Sequence, residues 1–287
     1  MKFGAHVSIA GGIDRAPLRA YEIGCECFQI FTRSPRGGKP PKLDKKTVDS
    51  FHKECSKYSL LEYYVHTPYY TNLASENHHI RNNYINIIKD EMRRASLLAA
   101  KYVMTHIGSS KNLTEAEPYR LVIEGLRRIL DKSDFQTKLL IENSAGQGGT
   151  IGSSFEELSE MLDSVGVAEL GVCLDTAHLL ASGYDIRTKR ELDLVLKRFS
   201  DVIGLDKLRL LHGNDSKVGL GERRDRHEHI GLGYIGLKGF RSIVNHPRLI
   251  HLNLIVETPL EDIDDDIRNL KKLKKLKRSG LSLIYRI

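Results

Sequence analysis

The sequence repeats one pattern eight times: a short apolar run rich in β-branched or aromatic residues, then a turn-forming residue, then a longer amphipathic stretch. The polar residues that close successive runs lie 26 residues apart at the closest, from His6 to Thr32, and 45 at the widest, from His212 to Glu257. A strand, its crossover helix and the next parallel strand need about 30 residues or more. The runs, in chain order, are FGAHVS, CFQIFT, EYYVH, KYVMTH, KLLIEN, GVCLDTAH, LRLLHGND and LNLIVET.

Eight strand and helix units of this size predict an α/β fold, the (β/α)8 TIM barrel, formed as one domain over residues 1–287. Three of the stretches between the runs show clear helical periodicity: NYINIIKDEMRRASLLAAK, SFEELSEMLDSV and KRELDLVLKRFSDV. No linker or low-complexity segment interrupts the pattern. A doubly wound open sheet is the main alternative, but no G-x-G-x-x-G sequence follows the first run.

The densest basic run, KKLKKLKR, extends from Lys271 to Arg278 and follows the acidic EDIDDD. Leu270, Leu273 and Leu276 recur there at helical spacing. Acidic residues at the start of a helix and basic residues at its end complement the helix dipole. We therefore predict one amphipathic surface helix here, with a DNA-facing role as the second interpretation.

Composition narrows the class of protein, its cellular location and its partners. Hydrophobic residues make up 40% and charged residues 28%, a balance typical of globular proteins. No apolar run is long enough to span a bilayer, and the N-terminal stretch has too short an apolar run for a signal peptide. The four cysteines form no C-x-x-C pair and are too few for a disulfide scaffold. These features predict a cytoplasmic protein without a membrane partner, and the net charge of +7 favours a polyanionic partner such as nucleic acid.

Six of the eight runs end in a residue type that binds transition metals. Because barrel strands point their C-terminal ends to one mouth, these side chains are predicted to meet there. Taken singly, most would be read as structural, but six buried ionisable groups around one mouth are costly without compensating charge. Bound cations provide that charge. The six residues are His66, His106, Glu142, Asp175, His212 and Glu257.

Three further candidate ligands lie beside these six. His178 follows Asp175 at the third position, and Asp225 and His227 lie in a glycine-rich loop after the seventh run. In an extended segment residues two apart point to the same side, so the loop can carry both over the mouth. Nine ligands without cysteine suit zinc or manganese and exceed what one ion can use. Two or three ions are therefore implied.

Several motifs in this order resemble the endonuclease IV family of abasic-site DNA repair enzymes, and the resemblance covers nearly the whole chain. The motifs are GAHVSIAGG, HTPYYTNLAS, LIENSAGQG, CLDTAHLLASGYD, LHGNDSK, DRHEHIGLG and VETP. The resemblance implies a TIM barrel that holds three zinc ions, with manganese at one position as a variant. It implies His66, His106 and Glu142 as ligands of the first ion. By the same resemblance Glu142 bridges to a second ion held also by Asp175, His212 and Glu257, and the third ion has His178, Asp225 and His227.

The resemblance also implies the reaction: cleavage of the phosphodiester bond 5′ to abasic sites in double-stranded DNA, as in base excision repair. The products would carry a 3′-hydroxyl and a 5′-deoxyribose phosphate, and repair of blocked 3′ ends is a related activity. Glu142, Asp175 and Glu257 are implied as the catalytic carboxylates. Bound metal ions activate water and stabilise a leaving oxygen, so no side-chain nucleophile is required. A monomer located at the nucleoid, with no obligatory protein partner, is implied as well.

Recognition of a missing base requires bending the duplex and turning the damaged nucleotide out. The resemblance implies that Arg36, Tyr69 and Tyr70 enter the minor groove and occupy the gap. The residues themselves leave another interpretation open, in which the arginine is solvated and both tyrosines pack on the barrel rim.

Some positions depart from the family pattern without removing a ligand. Ile107 stands where Pro usually follows the ligand equivalent to His106, and Gly37 and Gly38 follow Arg36 where many members have Trp; the chain has no Trp. His229 and Leu232 stand where Asn and Glu are common. We expect His229 to face solvent rather than compete for a metal, and we expect His78 and His79 to be surface residues.

Two rival functions remain open from the sequence. A sugar isomerase or epimerase on the same barrel would use one divalent ion, for which Glu142, Asp175, His212 and Glu257 would suffice. The other five ligands are superfluous to that reaction. A noncatalytic DNA-binding module with structural zinc is the third candidate, but structural zinc sites favour closed, cysteine-rich tetrahedra, and this sequence has no such cluster.

Overall fold

Eight parallel strands close into a barrel, which confirms the predicted (β/α)8 fold. The structure is a computed structural model that describes residues 1–110, 116–131, 134–262 and 264–277. Numbered in chain order, the barrel strands are β1 (Phe3–His6), β2 (Cys27–Ile30), β3 (Tyr63–His66), β4 (Tyr102–Thr105), β5 (Lys138–Glu142), β6 (Leu170–Asp175), β7 (Leu208–His212) and β10 (Leu254–Val256). The short strands β8 (Asp215–Ser216) and β9 (His227–Glu228) form a separate antiparallel pair. The barrel closes where β1 pairs with β10, with Ala5 opposite Val256.

Helices connect the strands and cover the outside of the barrel. They are α1 (Ala16–Glu22), α2 (Lys45–Lys57), α3 (His78–Leu97), α4 (Ala116–Leu130), α5 (Phe155–Val165), α6 (Thr176–Ala181), α7 (Lys189–Val202), α8 (Gly236–Val244) and α9 (Asp265–Leu276). Within the described ranges, none of these helices combines the length and apolar composition that crossing a membrane requires.

Two of the three helical stretches begin where the sequence predicts, because a side chain there satisfies free backbone N–H groups. The Ser154 hydroxyl accepts from the N–H of Glu157, and the Glu157 carboxylate accepts from the N–H of Gly152 and Ser153, so α5 starts with a reciprocal cap. The Thr188 hydroxyl likewise caps the start of α7. Helix α3 starts five residues earlier than its periodic stretch, because Asn77 accepts from two N–H groups of the first turn. His78 and His79 lie in that turn and are exposed, as expected.

The C-terminal amphipathic helix is shorter than predicted. It begins at Asp265 because the Asp265 carboxylate accepts hydrogen bonds from the backbone N–H groups of Glu261 and Asp262, which form a turn ahead of the helix. Leu270, Leu273 and Leu276 are buried, so its apolar stripe packs on the barrel. The predicted end at Arg278 lies outside the described residues.

Two apolar layers position the mouth of the barrel. The larger one lies between the strands and the surrounding helices. The smaller one fills the barrel interior, where one side chain from each of seven strands packs in a buried cluster: Cys27, Tyr64, Met104, Leu140, Cys173, Leu210 and Ile255. The eighth strand has Gly4 at this level, because a Cβ there would lie 1.9 Å from the carbonyl oxygen of Cys27. The interior is a packed core and supports the residues above it.

Candidate metal centre

The side chains at the barrel mouth are placed by the interior layer. Successive side chains of a strand alternate between its two faces, so the residue two positions beyond an interior residue also points inward. Leu140 is interior, and Glu142 follows it at the C-terminal end of β5. The same step joins seven pairs: Cys27 to Gln29, Tyr64 to His66, Met104 to His106, Leu140 to Glu142, Cys173 to Asp175, Leu210 to His212 and Ile255 to Glu257.

Eight of the nine predicted ligands fall into three groups, and the donor atoms within each group lie within 4.8 Å of one another. The groups are His66, His106 and Glu142; Glu142, Asp175, His212 and Glu257; and Asp175, His178 and His227. Neighbouring groups share one carboxylate, Glu142 in the first case and Asp175 in the second. One oxygen of Glu142 lies 3.2 Å from Nε2 of His66, and the other lies 2.9 Å from Nδ1 of His212. The groups are therefore contiguous.

The ninth predicted ligand, Asp225, lies at the edge of the third group. Its Oδ1 is 3.2 Å from Nε2 of His178 and 3.4 Å from Nε2 of His227, and its side chain is half exposed. Asp175, which the resemblance assigned to the second ion alone, also faces this group, with Oδ2 3.6 Å from Nε2 of His227. The third group therefore has a buried carboxylate on its inner side and a half-exposed one on its outer side.

Four of the imidazoles have one ring nitrogen at the centre and the other against a carbonyl oxygen. For His66, His178 and His227 that oxygen belongs to the backbone, of Thr67 at 2.6 Å, Asn143 at 2.9 Å and Glu257 at 2.9 Å. For His212 it is the side-chain oxygen of Gln29, 3.0 Å from Nε2. A carbonyl accepts a hydrogen bond and cannot donate one, so each ring carries a proton on its outer nitrogen, and its inner nitrogen would be the one to offer a lone pair to a bound ion.

The glycine-rich loop between β7 and α8, which contains β8 and β9, forms an arm that folds back over the mouth. Strands β8 and β9 bring His227 opposite Ser216. The buried carboxylate of Asp215 accepts from the backbone N–H groups of Gly231 and Ile235, which fixes the far side of the arm. The side-chain oxygen of Gln147 accepts from the N–H of Asp225. Asp215, a possible ligand by type, is therefore an anchor of the arm.

The arm is also joined to α6, the helix that contains His178. The Asp175 carboxylate caps the start of α6 by accepting from the N–H of His178, at 2.8 Å. At the other end, the carbonyl oxygens of Leu180 and Ala181 accept from the backbone N–H groups of Gly221 and Arg223 in the arm. The backbone of the arm thus continues the hydrogen bonding of α6.

His229 does not face solvent freely, contrary to our expectation. Its Nδ1 lies 3.2 Å from the side-chain nitrogen of Asn269 on α9, and its Nε2 lies 3.8 Å from Asp265. No pattern in the sequence indicates this packing, because Asn269 lies 40 residues further along the chain. His229 therefore connects the arm to α9 and lies apart from the three donor groups.

Glu142 and His178 favour their charged forms although both are buried. Burial disfavours the charged form of Glu142, but His212, His106 and His66 together outweigh burial and hold the pKa of Glu142 well below its usual range. Burial likewise disfavours the charged form of His178, but Asp175 and Asp225 outweigh it and raise the pKa of His178 to about 10. In the absence of ions, His178 and His212, whose pKa values are both raised, thus take protons that balance the carboxylates. A donor set of imidazole nitrogens and carboxylate oxygens at this depth fits zinc, or manganese.

Two cavities flank the centre, and Tyr69 lines both. The first has a volume of about 500 Å³ and is lined in part by Tyr70, His106 and Asp225. The second has a volume of about 520 Å³ and is lined in part by Arg36 and Glu257. The Tyr69 side chain is 57% exposed, and its ring meets that of Phe31 edge-on at 5.1 Å. Arg36 is exposed, and Tyr70 is half-buried with its ring 6.4 Å from that of Tyr84.

A buried ion pair network, which the sequence analysis missed, ties the Arg36 loop to α3. Glu91 accepts from the Thr32 hydroxyl at 2.6 Å and from Arg33. Arg94 donates to the backbone oxygens of Thr32 at 2.7 Å and Pro41 at 2.9 Å, so both ends of the loop are held. The available signal was the pair of charged residues, three apart, on the apolar face of α3.

Comparisons with known proteins show which sequences and folds this chain resembles. A family model described as a xylose isomerase-like TIM barrel matches residues 18–274. A probable endonuclease 4 from Methanoculleus marisnigri is 42% identical over 275 residues, 95% of this chain and 98% of that protein. The crystal structure of endonuclease IV from Thermus thermophilus has a TM-score of 0.86 at 33% identity, and the match covers 96% of this chain and 98% of that one. A D-tagatose 3-epimerase-like protein has a TM-score of 0.74 at 20% identity over 99% and 98% of the two chains, a likeness of fold alone.

Proposed function

The chain belongs to the endonuclease IV family, and on this premise we propose that it is a zinc-dependent endonuclease of DNA repair. It would cleave the phosphodiester bond 5′ to abasic sites in double-stranded DNA, leaving 3′-hydroxyl and 5′-deoxyribose phosphate ends, and would also clear blocked 3′ ends. The observation that carries this proposal is the set of three contiguous donor groups at the barrel mouth, joined by Glu142 and Asp175.

The donor groups fit three metal ions. The first would be held by His66, His106 and Glu142, the second by Glu142, Asp175, His212 and Glu257, and the third by His178, Asp225 and His227, with Asp175 at its inner side. We propose zinc at all three, with manganese as a substitute at one. Bound ions of this kind supply Lewis-acid activation of water and neutralise charge that develops on a phosphate and its leaving oxygen.

The chain's own residues provide a fixed framework for this chemistry. The proposed catalytic carboxylates are Glu142, Asp175 and Glu257, and the first two have almost no exposed surface. Glu142 accepts hydrogen bonds from rings on both of its sides, so its two oxygens keep their orientation toward the two groups that it joins. Preorganised charge in a site that excludes water stabilises a transition state without reorganisation.

DNA recognition is proposed for residues beside the two cavities. Tyr69 presents an exposed ring next to His66 and His106, at centroid distances of 5.6 and 6.4 Å. Arg36 lies in a loop whose ends are held by Arg94, so its position is defined although its side chain is exposed. We propose that Arg36, Tyr69 and Tyr70 fill the minor groove and the gap left by the missing base.

Replacing Tyr69 with alanine is expected to weaken binding to an abasic duplex by roughly ten-fold. Stacking of a base on an aromatic ring contributes about 1 to 3 kcal/mol, and about 1.4 kcal/mol corresponds to ten-fold in affinity. Fluorescence anisotropy in the Glu142→Gln background measures this without cutting the DNA. Tyr21→Ala is the matched control, since Tyr21 is 56% exposed and lies near the end of α1, on the far side of the barrel. Equal affinities in the two variants would remove Tyr69 from the proposal.

The sugar epimerase alternative keeps one argument, the four-donor group of Glu142, Asp175, His212 and Glu257. His66, His106, His178 and His227 would then have no role in the reaction, although they extend the centre on both sides. A noncatalytic zinc module is disfavoured because all four cysteines are buried, and burial raises the pKa of the Cys173 thiol to about 12.

We propose one catalytic domain over residues 1–287 that acts as a monomer on nucleoid DNA, without a membrane or obligatory protein partner.

Elemental analysis combined with an incision assay tests the proposed function. The purified protein is expected to contain close to three zinc ions per chain and to nick an abasic duplex without added magnesium. A duplex of the same sequence without the lesion is the matched substrate control and should stay intact. One manganese or magnesium ion per chain, together with turnover of a ketose and none of DNA, would favour the epimerase.

A further inference from the structure

Gln29 lies in the barrel mouth between two of the proposed ligands. It follows interior Cys27 by two positions on β2, and its side chain has no exposed surface. Its Oε1 is 3.0 Å from Nε2 of His212, and its Nε2 is 2.6 Å from Oε1 of Glu257. His212 and Glu257 belong to the same four-donor group. One neutral amide therefore contacts two members of that group.

The charge on Glu257 determines which way this amide points. A carboxylate only accepts hydrogen bonds, so the NH2 group of Gln29 must face Glu257 and its oxygen must face His212. The oxygen in turn requires a proton on Nε2 of His212. Nδ1, the inner nitrogen, lies 2.9 Å from Glu142 and 3.2 Å from the other oxygen of Glu257, and it is the nitrogen that would offer its lone pair to a bound ion. The charge of Glu257 thus fixes the orientation of the Gln29 amide, and that orientation fixes the tautomer of His212.

His212 differs in this respect from His66, His178 and His227. Their outer ring nitrogens bond to backbone oxygens, which no substitution removes. The outer nitrogen of His212 bonds to a side chain, so its tautomer depends on the residue at position 29.

We propose that Gln29 is a positioning residue for the ion held by Glu142, Asp175, His212 and Glu257. It fixes the proton of His212 on Nε2 and the orientation of the Glu257 carboxylate. The inference rests on the proposed metal centre and adds to it a residue that binds no ion itself. Outer partners of this kind typically change metal affinity or activity by about 10- to 100-fold.

A methionine at position 29 has a similar length and shape and offers none of the polar contacts of the amide, with His212, with Glu257 or with Nδ1 of His6, which lies 3.0 Å from Nε2 of Gln29. His6 remains on the Glu257 side in that variant, with Nδ1 3.3 Å from Oε1 of Glu257, and continues to support the carboxylate. The loss therefore falls mainly on His212, whose ring nitrogen is left without its acceptor.

Zinc retention measured against a chromophoric chelator, without DNA, tests the inference. Gln29→Met is expected to hold one of its ions at least ten-fold more weakly than the wild type, with the other ions unchanged. Cys27→Ala is the matched control, since Cys27 points into the same barrel from the same strand one layer below. Wild-type zinc affinity in Gln29→Met would overturn the proposal.

Nitrogen-15 NMR of the zinc-loaded wild type gives a second readout, which does not depend on whether a variant folds. The His212 ring is expected to carry its proton on Nε2, and a proton on Nδ1 would overturn the inference. These outcomes differ from failure of the proposed function. A wild-type chain that retains no zinc contradicts the metal centre itself, whereas retention of all ions by Gln29→Met contradicts only the role of Gln29.

Discussion

Replacing Glu142 with glutamine is expected to reduce incision of an abasic duplex by roughly a thousand-fold or more. Glutamine keeps the size and shape of the side chain but removes the negative charge shared by two donor groups. Stabilisation of transition-state charge by bound metal contributes several kcal/mol, and each 1.36 kcal/mol is about ten-fold in rate. DNA affinity should stay within a few-fold of wild type, because Glu142 is buried below the surface that would contact DNA.

Single-turnover incision and anisotropy binding separate these two effects. Glu62→Gln is the matched control: it makes the same chemical change just before β3, at the opposite end of the barrel, where Glu62 pairs with Lys2 and Lys101. That variant should cleave at the wild-type rate. Near-normal turnover in Glu142→Gln would mean that the shared carboxylate is wrongly assigned.

Prolonged chelation is expected to abolish incision and to lower the melting temperature of the protein. Several carboxylates and imidazoles are buried within a few ångströms of one another, and bound cations would balance them. A ligand present at about 1,000 times its dissociation constant stabilises the folded state by about 4 kcal/mol. Differential scanning fluorimetry of the metal-depleted and zinc-restored protein measures this effect, and incision is assayed on the same samples.

Restoration separates loss of metal from irreversible damage to the protein. Zinc added back after removal of the chelator should restore both incision and melting temperature, whereas magnesium should not. Elemental analysis must accompany each sample. Full cleavage by protein in which no zinc is detected would contradict the proposed mechanism. An unchanged melting temperature in the metal-depleted protein would contradict the charge-balance argument.

Much of this architecture could be predicted, because the alternation of side chains along a strand and the length of each strand and helix unit are both visible in the sequence. The alternation of a strand ties Glu142 to Leu140 and His212 to Leu210, so an apolar run that ends in a polar residue already predicts a side chain at the mouth. The unit length of the repeat then brings these ends to one face. For the same reason, the sequence could indicate a cluster of donors before any distance was known.

Contacts between strands could not be predicted in this way, because register around the barrel is set by packing and not by spacing along the chain. Gln29 and Glu257 are 228 positions apart and meet only because β1 closes the barrel between β2 and β10. An uncharged amide inside an apolar run, such as Gln29 in CFQIFT, also attracts less notice than a histidine or a carboxylate that closes one. The second contact of Asp175, with the arm, depends likewise on how a loop folds back.

The hydrogen bonds between the arm and α6 have a consequence for the third donor group, which has Asp225 at its edge. Asp175 and His178 lie at the start of α6, and the arm that presents Asp225 and His227 is bonded through its backbone to the end of the same helix. These donors are held together by peptide groups and do not depend on a cation for their spacing. An ion that dissociated from this proposed site would leave the spacing of these donors intact, so its replacement by another ion would require no rebuilding of the fold.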